Sequence, residues 1–237
     1  MVEICKELLV DKKEMRDAYC DALIEAAGAN PKIVAIDCDL SSSCGTARFR
    51  EAYPGRAINA GIQEQNACAM AGGLSASGMV PFFHSFAVFS TRRIYDQIFM
   101  SCAYAGQNVK IIGCDAGVSA AFNGGTHMAF EDVGIMRVMP NVTVLEATDA
   151  TMMKSVVRQM AENYGVFYLR MPRKEVHGVY EDGSEFIIGK AAVLREGKDV
   201  TIIANGMEVV EALWAADILE KLFRAGVKNG EKEVSVV

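Results

Sequence analysis

Short apolar runs alternate with helix-length segments over about the first 170 residues, and this alternation constrains the fold more than any other feature of the chain. The runs are 33–37, 57–59, 79–83, 109–113, 142–145 and 166–169. Strands that are apolar on both faces and separated by helix-length crossovers are typical of a parallel sheet with helices on both sides. The pattern therefore predicts an α/β fold with a doubly wound, mainly parallel sheet.

Helical periodicity predicts helices between these strands. The clearest span 14–27, 62–75, 90–105 and 150–163, and Asp149 is an N-cap signal for the last of them. In a parallel sheet, functional residues collect past the carboxyl ends of the strands, where loops meet and helix N-termini point outward. We therefore expect them in the segments 37–45, 59–65, 84–89, 114–128 and 170–174.

The C-terminal part of the chain is predicted to form a second unit. A polar stretch without periodicity, RKEVHGVYEDGSE at 173–185, favours a linker. We place the first domain at 1–175, the linker at 176–186 and a partial second domain at 187–237, with strands at 186–194, 200–204 and 234–237 and a helix at 207–224. About fifty residues are too few for an independent core, so this unit is expected to pack on another body or to continue beyond the sequence.

Composition narrows the classes of function. The net charge is −6, with 24 basic and 30 acidic side chains, and no Lys/Arg block is longer than a pair, which argues against nucleic-acid binding. The 7 cysteines are widely spaced and include no CxxC pair, as is typical of free thiols in a reducing cytoplasm. The charged N-terminus predicts no signal peptide, and Pro81 and the Gly72-Gly73 pair interrupt the one long uncharged stretch, so no membrane span is expected.

The segment NAGIQEQNA at 59–67 contains the most informative residue, Glu64. It places a carboxylate in the first turn of a predicted helix, straight after a buried strand. The helix dipole favours an acid there even without a function. However, residues 67–76 carry no charge, so Glu64 is expected at the edge of a dry interior, where a carboxyl group can keep its proton. These surroundings make Glu64 a candidate catalytic acid.

A second segment, HSFAVFS at 84–90, places Phe86 and Phe89 three residues apart at a strand end. Alone, an aromatic pair at this spacing is more often core packing than a platform for a cofactor ring. His84 and His177 are interpreted as structural and linker residues. No His/Cys/Asp/Glu cluster has metal-ligand spacing, and no G-x-S-x-G elbow occurs.

The two segments together resemble a known family. GIQEQNACAMAGGLSASGMVPFFHSFAVF followed by RRIYDQI is similar to the pyrimidine-binding domain of transketolase-type, thiamine-diphosphate-dependent enzymes. Further matches run in collinear order from MRDAYCDALIEAAGANPKIVAIDCDLSSS, through GVSAAFNGGTHMAFEDVGIMRVMPNVTVLEATDA, to YLRMPR. The resemblance identifies 1–175 with that domain and 187–237 with the start of the transketolase C-terminal domain.

The resemblance implies roles for the two candidate segments. Glu64 matches the family's glutamic acid, which hydrogen-bonds the pyrimidine of thiamine diphosphate and stabilises the tautomer that deprotonates the thiazolium. Phe89 matches the aromatic residue that stacks on the pyrimidine, with Phe86 beside it. Thiamine diphosphate is therefore the implied cofactor, and Glu64, Phe86 and Phe89 are its predicted ligands in this chain.

The resemblance also implies a partner. In the family, a separate domain with a Gly-Asp-Gly run holds the diphosphate through Mg²⁺, and this sequence has no such run. The chain is therefore expected to be the C-terminal-section subunit of a split, two-chain transketolase. The N-terminal-section subunit would bind Mg²⁺, no metal would be bound by this chain, and a homodimer or an α2β2 assembly is implied.

The substrate pocket both matches the family and departs from it. Transketolases bind the sugar phosphate through two arginines, a serine and a histidine, and Arg16, Ser43, His127 and Arg173 fall at the matching positions. Asp115 stands where the family has a histidine that contacts sugar hydroxyls. Asn123 replaces the hydroxyl-binding aspartate, after Phe122 in place of a glutamate. A ketose phosphate or a sugar with another anionic terminus is consistent with this pocket.

Two alternatives follow from the same residues. The G-I-x-E-Q and aromatic-DQI elements also occur in deoxyxylulose-phosphate synthases and in the beta subunits of 2-oxoacid dehydrogenases, although the latter bind no phosphate and need no equivalent of Arg16 or Arg173. A non-catalytic or truncated subunit is the second alternative, because Asp115 and Phe122 depart from the family pattern.

Overall fold

A six-stranded sheet forms the main body of the computed structural model, which describes residues 2–119, 121–226 and 234–237. Its strands are β1 (Ile33–Asp37), β2 (Ala57–Asn59), β3 (Val80–Phe86), β4 (Lys110–Cys114), β5 (Val142–Glu146) and β6 (Val166–Met171). They are ordered β2-β1-β3-β4-β6-β5, and every neighbouring pair is parallel. The predicted doubly wound, parallel α/β fold is confirmed.

The helices lie between the strands largely where periodicity predicts them. They are α1 (Met15–Ala29), α2 (Ser41–Cys44), α3 (Ala47–Ala52), α4 (Glu64–Ala76), α5 (Tyr95–Gln97), α6 (Asp132–Arg137), α7 (Ala150–Glu162) and α8 (Glu208–Gly226). None of these described helices is long and apolar enough to cross a bilayer.

Two apolar layers cover the sheet. α1 and α7 pack together on one face, and α4 packs on the other with the π-helix Ile98–Tyr104 that continues α5. Phe82 and Phe83 are both fully buried, but they belong to opposite layers because successive side chains of a strand point to opposite faces. Burial on both faces explains why the strands are continuously apolar in sequence.

The predicted helix at 90–105 forms differently. A 3₁₀ turn at Arg92–Ile94 precedes α5 and the π-helix. The hydroxyls of Ser90 and Thr91 donate to the carbonyl oxygen of Ala87, at 3.4 and 2.6 Å. Because these side chains compete with the backbone for hydrogen bonds, residues 87–91 form a turn and the helix begins later.

A glycine sets the distance between α4 and the π-helix. A Cβ added at Gly72 would lie 2.5 Å from the backbone oxygen of Ser101, whereas one at the next position, Gly73, would meet nothing within 4 Å. We expect Gly72→Ala to destabilise the protein by about 2 kcal/mol or more, since the backbones must move apart. Gly73→Ala is the matched control, and its better helix propensity should leave stability unchanged or raised by up to about 1 kcal/mol. Urea unfolding of both variants checks this, and equal stabilities would contradict the close approach.

The C-terminal unit contains a small parallel pair. β7 (Val200–Ile202) pairs with β8 (Val234–Val236), next to α8, in agreement with the predicted strands and helix there. The strand predicted at 186–194 is wrong. Gly189 has φ +87° and Lys190 N donates to Ile187 O at 3.0 Å, so a turn interrupts the extended backbone.

The segment assigned as a linker is attached to the rest of the protein. His177 and Tyr180 form antiparallel bridges with Val10 and Ile4 of the N-terminal segment. The backbone N–H groups of Val179 and Tyr180 both donate to Asp149 Oδ2 at 2.8 Å. Residues 177–180 are thus held against both the N-terminal segment and the start of α7.

Candidate active site

The predicted site residues lie at one edge of the sheet. Because the strands of this sheet are parallel, their carboxyl ends meet at that edge, and the loops that follow them can converge. The residues are Arg16 on α1, Ser43 on α2, Glu64 at the start of α4, Phe86 at the end of β3, Phe89 just beyond it, Asp115, Asn123 and His127 after β4, and Arg173 after β6.

Glu64 is the first residue of α4 and is only 4% exposed. Its Oε1 accepts a hydrogen bond from Ser85 Oγ at 3.3 Å and forms an ion pair with Arg93 Nη1 at 2.9 Å. The burial agrees with the sequence-based expectation, but the surroundings are not purely apolar. Arg93, whose side chain is 41% exposed, lies between Glu64 and solvent.

Arg93 is a site residue that the sequence analysis missed. Its guanidinium carbon lies 3.7 Å from the centroid of the Phe89 ring while the same group donates to Glu64. One planar N–H donor therefore contacts the carboxylate and the aromatic face together. The sequence signal that could have identified it is the Arg92-Arg93 pair shortly after Phe89. The sequence does not show which of the two arginines reaches Glu64, and in the structure Arg92 pairs with Glu131 at 2.8 Å.

Phe86, Phe89 and His127 form an aromatic cluster. The ring centroids of Phe86 and Phe89 are 6.1 Å apart, and the His127 ring packs edge-on against them at 5.7 and 5.2 Å. Thr126 Oγ1 lies 2.8 Å from His127 Nδ1. The loop after β4 thus brings His127 to the same place as the two phenylalanines after β3.

Asp115 and Arg173 form a bidentate ion pair beside this cluster. Arg173 Nε donates to Asp115 Oδ1 at 3.0 Å, and Nη2 donates to Oδ2. Burial alone would lower the pKa of Arg173, but the hydrogen bonds and charge of Asp115 raise it, so the pair stabilises the guanidinium cation. The Arg173 guanidinium lies 5.5 Å from the Phe86 ring, which connects the ion pair to the aromatic cluster.

Arg16 lies next to Arg173 at the start of α1. Arg16 N donates to Arg173 O at 3.3 Å, and Arg16 Nη1 donates to Ser43 O at 3.3 Å. Arg16 Nε also donates to Glu14, which accepts a second hydrogen bond from Lys174. The Lys174 hydrogen bond is the main cause that lowers the pKa of Glu14. The two arginines are thus adjacent, and each is paired with a carboxylate.

The remaining predicted residues lie outside this chain of contacts. Asn123 is exposed on the 3₁₀ turn Ala121–Asn123, and among the described contacts nothing joins it to the aromatic cluster. His84 is fully buried, with Nδ1 donating to Ile36 O at 3.0 Å and Nε2 accepting from Tyr19 at 2.7 Å. Burial lowers the pKa of His84, so the neutral ring is favoured and the residue is structural, as interpreted. Over the ranges that the structure describes, no three His, Cys, Asp or Glu side chains form a metal-binding group.

Comparison with known proteins identifies the family of this chain. The family model "Transketolase, pyrimidine binding domain" matches residues 11–178, which include every site residue described above. The chain belongs to the transketolase family. The model "Transketolase, C-terminal domain" matches residues 189–228 of this transketolase-family chain.

The relatives of this transketolase-family chain include a protein named as a transketolase subunit and one named as a transketolase C-terminal section. It is 45% identical over 213 residues to the 6-deoxy-6-sulfo-D-fructose transketolase subunit SqwH of Clostridium sp. (strain MSTE9), covering 90% of this chain and 66% of that protein. It is 42% identical to a putative transketolase C-terminal section of Methanocaldococcus jannaschii, covering 88% of this chain and 67% of the relative. The chain thus spans about two thirds of the length of these relatives.

A solved structure titled as a split gene transketolase, an inactive beta4 tetramer, has the same fold. It superposes with a TM-score of 0.83 at 40% identity, covering 94% of this chain and 70% of the other. At 40% identity this protein, which is described as the product of a split gene, is also a relative of the chain.

Proposed function

We propose that this chain is the subunit of a thiamine-diphosphate-dependent transketolase that carries the pyrimidine-binding site. After it joins an N-terminal-section subunit, it transfers a two-carbon ketol unit between anionic sugars. That subunit supplies the site for the diphosphate and Mg²⁺, and the assembled enzyme acts in the cytoplasm. The observation that carries the proposal is the contact of one planar group with both Glu64 and Phe89.

The residues present fit an aminopyrimidine. The Arg93 guanidinium is planar, donates N–H to Glu64 and stacks on Phe89 at 3.7 Å, so this carboxylate and this ring are spaced for a planar nitrogenous group. Ser85 Oγ donates a second hydrogen bond to Glu64 Oε1 at 3.3 Å. Glu64 and Phe89 would hold the pyrimidine, and Phe86 and His127 would complete the aromatic wall.

The chemistry divides between the cofactor and this chain. When bound, thiamine diphosphate supplies the nucleophilic carbon that cleaves and forms the carbon–carbon bond. Glu64 would hydrogen-bond the pyrimidine nitrogen through its carboxyl group, whose burial excludes water. Arg16 and Arg173 bind the anionic end of the sugar, because guanidinium groups donate paired hydrogen bonds to such oxygens.

Exposed apolar side chains that are close in sequence to site residues support the two-chain proposal. Ile62 before α4 is 74% exposed, and Phe122 and Phe130 in the loop after β4 are 104% and 70% exposed. Large apolar side chains that are exposed around a site are typical of a surface that another protein covers. We place the N-terminal-section subunit here and propose an α2β2 assembly.

The substrate class rests on the pocket and on one relative. The Clostridium relative is named for 6-deoxy-6-sulfo-D-fructose, a ketose with a sulfonate terminus. Arg16 and Arg173 suit a sulfonate or a phosphate, since both present several acceptor oxygens. We propose a ketose with a sulfonate or phosphate terminus as the donor.

Reconstitution tests this function. The chain is co-expressed with a Gly-Asp-Gly-containing partner from the same genome, and the purified pair is supplied with thiamine diphosphate, Mg²⁺, an aldose phosphate acceptor and either 6-deoxy-6-sulfofructose or fructose 6-phosphate. We expect transfer from at least one donor, measured as the shortened aldose product. Pyruvate decarboxylation without ketol transfer would instead indicate a 2-oxoacid dehydrogenase-type subunit, and no thiamine chemistry would indicate a non-catalytic one.

A further inference from the structure

Five charged side chains form two neighbouring groups where the anionic end of the substrate is proposed to bind. Ion pairs join Arg16 and Lys174 to Glu14 and Arg173 to Asp115, and a backbone hydrogen bond from Arg16 N to Arg173 O connects the two groups. Subtracting two negative from three positive charges leaves a net charge of +1. Two arginines alone would present a charge of +2.

Asp115 is the carboxylate that directly offsets the positive charge of Arg173. It is 1% exposed, follows the last residue of β4 and has φ +59°, so the backbone holds it in an unusual conformation against Arg173. It engages both Nε and Nη2 of Arg173. The Arg173 side chain remains 26% exposed, so its free N–H groups can still reach a ligand, but with a neighbouring negative charge.

We propose that Asp115 is a specificity-determining residue that shifts selectivity away from a dianionic phosphate terminus and toward a monoanionic sulfonate. The inference rests on the proposed function and names the substrate class of the same site. A phosphate monoester carries a charge of about −1.5 to −2 at pH 7. A sulfonate carries a charge of −1 at neutral and at mildly acidic pH. Repulsion from Asp115 therefore acts about twice as strongly on the phosphate, as does attraction to the arginines, so Asp115 reduces the advantage that the arginines give to the phosphate.

The experiment compares two donors that differ only at this terminus. The kcat/KM of the reconstituted pair is measured for 6-deoxy-6-sulfofructose and for fructose 6-phosphate, with wild-type chain and with Asp115→Asn. We expect Asp115→Asn to shift the ratio of the two kcat/KM values toward the phosphate by about tenfold. Glu162→Gln removes the same charge from an exposed i,i+4 pair on α7 and should leave the ratio unchanged.

A second measurement tests the charge dependence of this shift, with Asp115→Ser in place of Asp115→Asn if the latter does not fold. The second ionisation of a phosphate monoester has a pKa of about 6, so the phosphate donor becomes a monoanion between about pH 7.5 and pH 5.5 while the sulfonate does not change. We expect the difference in this ratio between wild type and variant to shrink over this interval, because both donor termini then carry one charge.

The outcomes separate the inference from the function on which it rests. If the wild-type pair uses neither donor, the proposed function fails. If both donors are used with a ratio that Asp115→Asn does not change, or if the substitution moves the ratio toward the sulfonate, ketol transfer stands and the role of Asp115 is overturned.

Discussion

Replacement of Glu64 by glutamine is expected to reduce ketol transfer by the reconstituted enzyme about 10²- to 10⁴-fold, the usual contribution of a positioned acid or base. Glutamine has nearly the same shape and can keep an oxygen toward Ser85, which lies 3.3 Å from Glu64 Oε1. It cannot exchange a proton with a pyrimidine nitrogen. Coupled spectrophotometric assays of the pair at saturating thiamine diphosphate measure the loss in kcat.

The chain offers a matched control for this substitution. Glu131 pairs with Arg92 at 2.8 Å much as Glu64 pairs with Arg93 at 2.9 Å, but Glu131 is 34% exposed. Exposed ion pairs contribute about 0–1 kcal/mol, so Glu131→Gln should retain activity within about twofold. Full turnover by Glu64→Gln would remove the proposed role, whereas an equal loss in both variants would indicate a general electrostatic effect.

Asp149→Ala is expected to produce the largest loss of stability, about 3–5 kcal/mol. Asp149 Oδ1 accepts from Met152 N at 2.9 Å as the N-cap of α7, a contact usually worth about 1 kcal/mol. Its Oδ2 accepts from Val179 N and Tyr180 N, both buried, and leaving such donors unpaired costs about 1–3 kcal/mol each. Thermal unfolding should shift down by roughly 10 °C or more for a protein of this size.

Two further substitutions define the origin of that loss. Asp149→Asn keeps one oxygen acceptor and should lose about half as much stability as alanine. Asp182→Ala removes a nearby exposed carboxylate whose contact with Thr151 Oγ1 is 3.5 Å long, and it should change stability by less than about 0.5 kcal/mol. If Asp149→Ala melts like Asp182→Ala, the cap and the two hydrogen bonds contribute little.

Local sequence signals predicted most of the fold. All six strands of the sheet and the long helices α1, α4, α7 and α8 lie close to their predicted bounds. The errors occurred where side chains or turns override periodicity. Ser90 and Thr91 delay a helix through their bonds to Ala87, and Gly189 interrupts a predicted strand.

The amino-acid sequence by itself determined the parallel α/β architecture and the positions of Glu64, Phe86 and Phe89 at helix or strand ends, because hydrophobic period and element ends are properties of neighbouring residues. Only the tertiary structure decided which charges meet. Arg93 contacts Glu64 across 29 residues, Arg173 contacts Asp115 across 58, and Lys174 contacts Glu14 across 160. Such pairings depend on which strand ends the sheet order brings together, and no local pattern encodes that order.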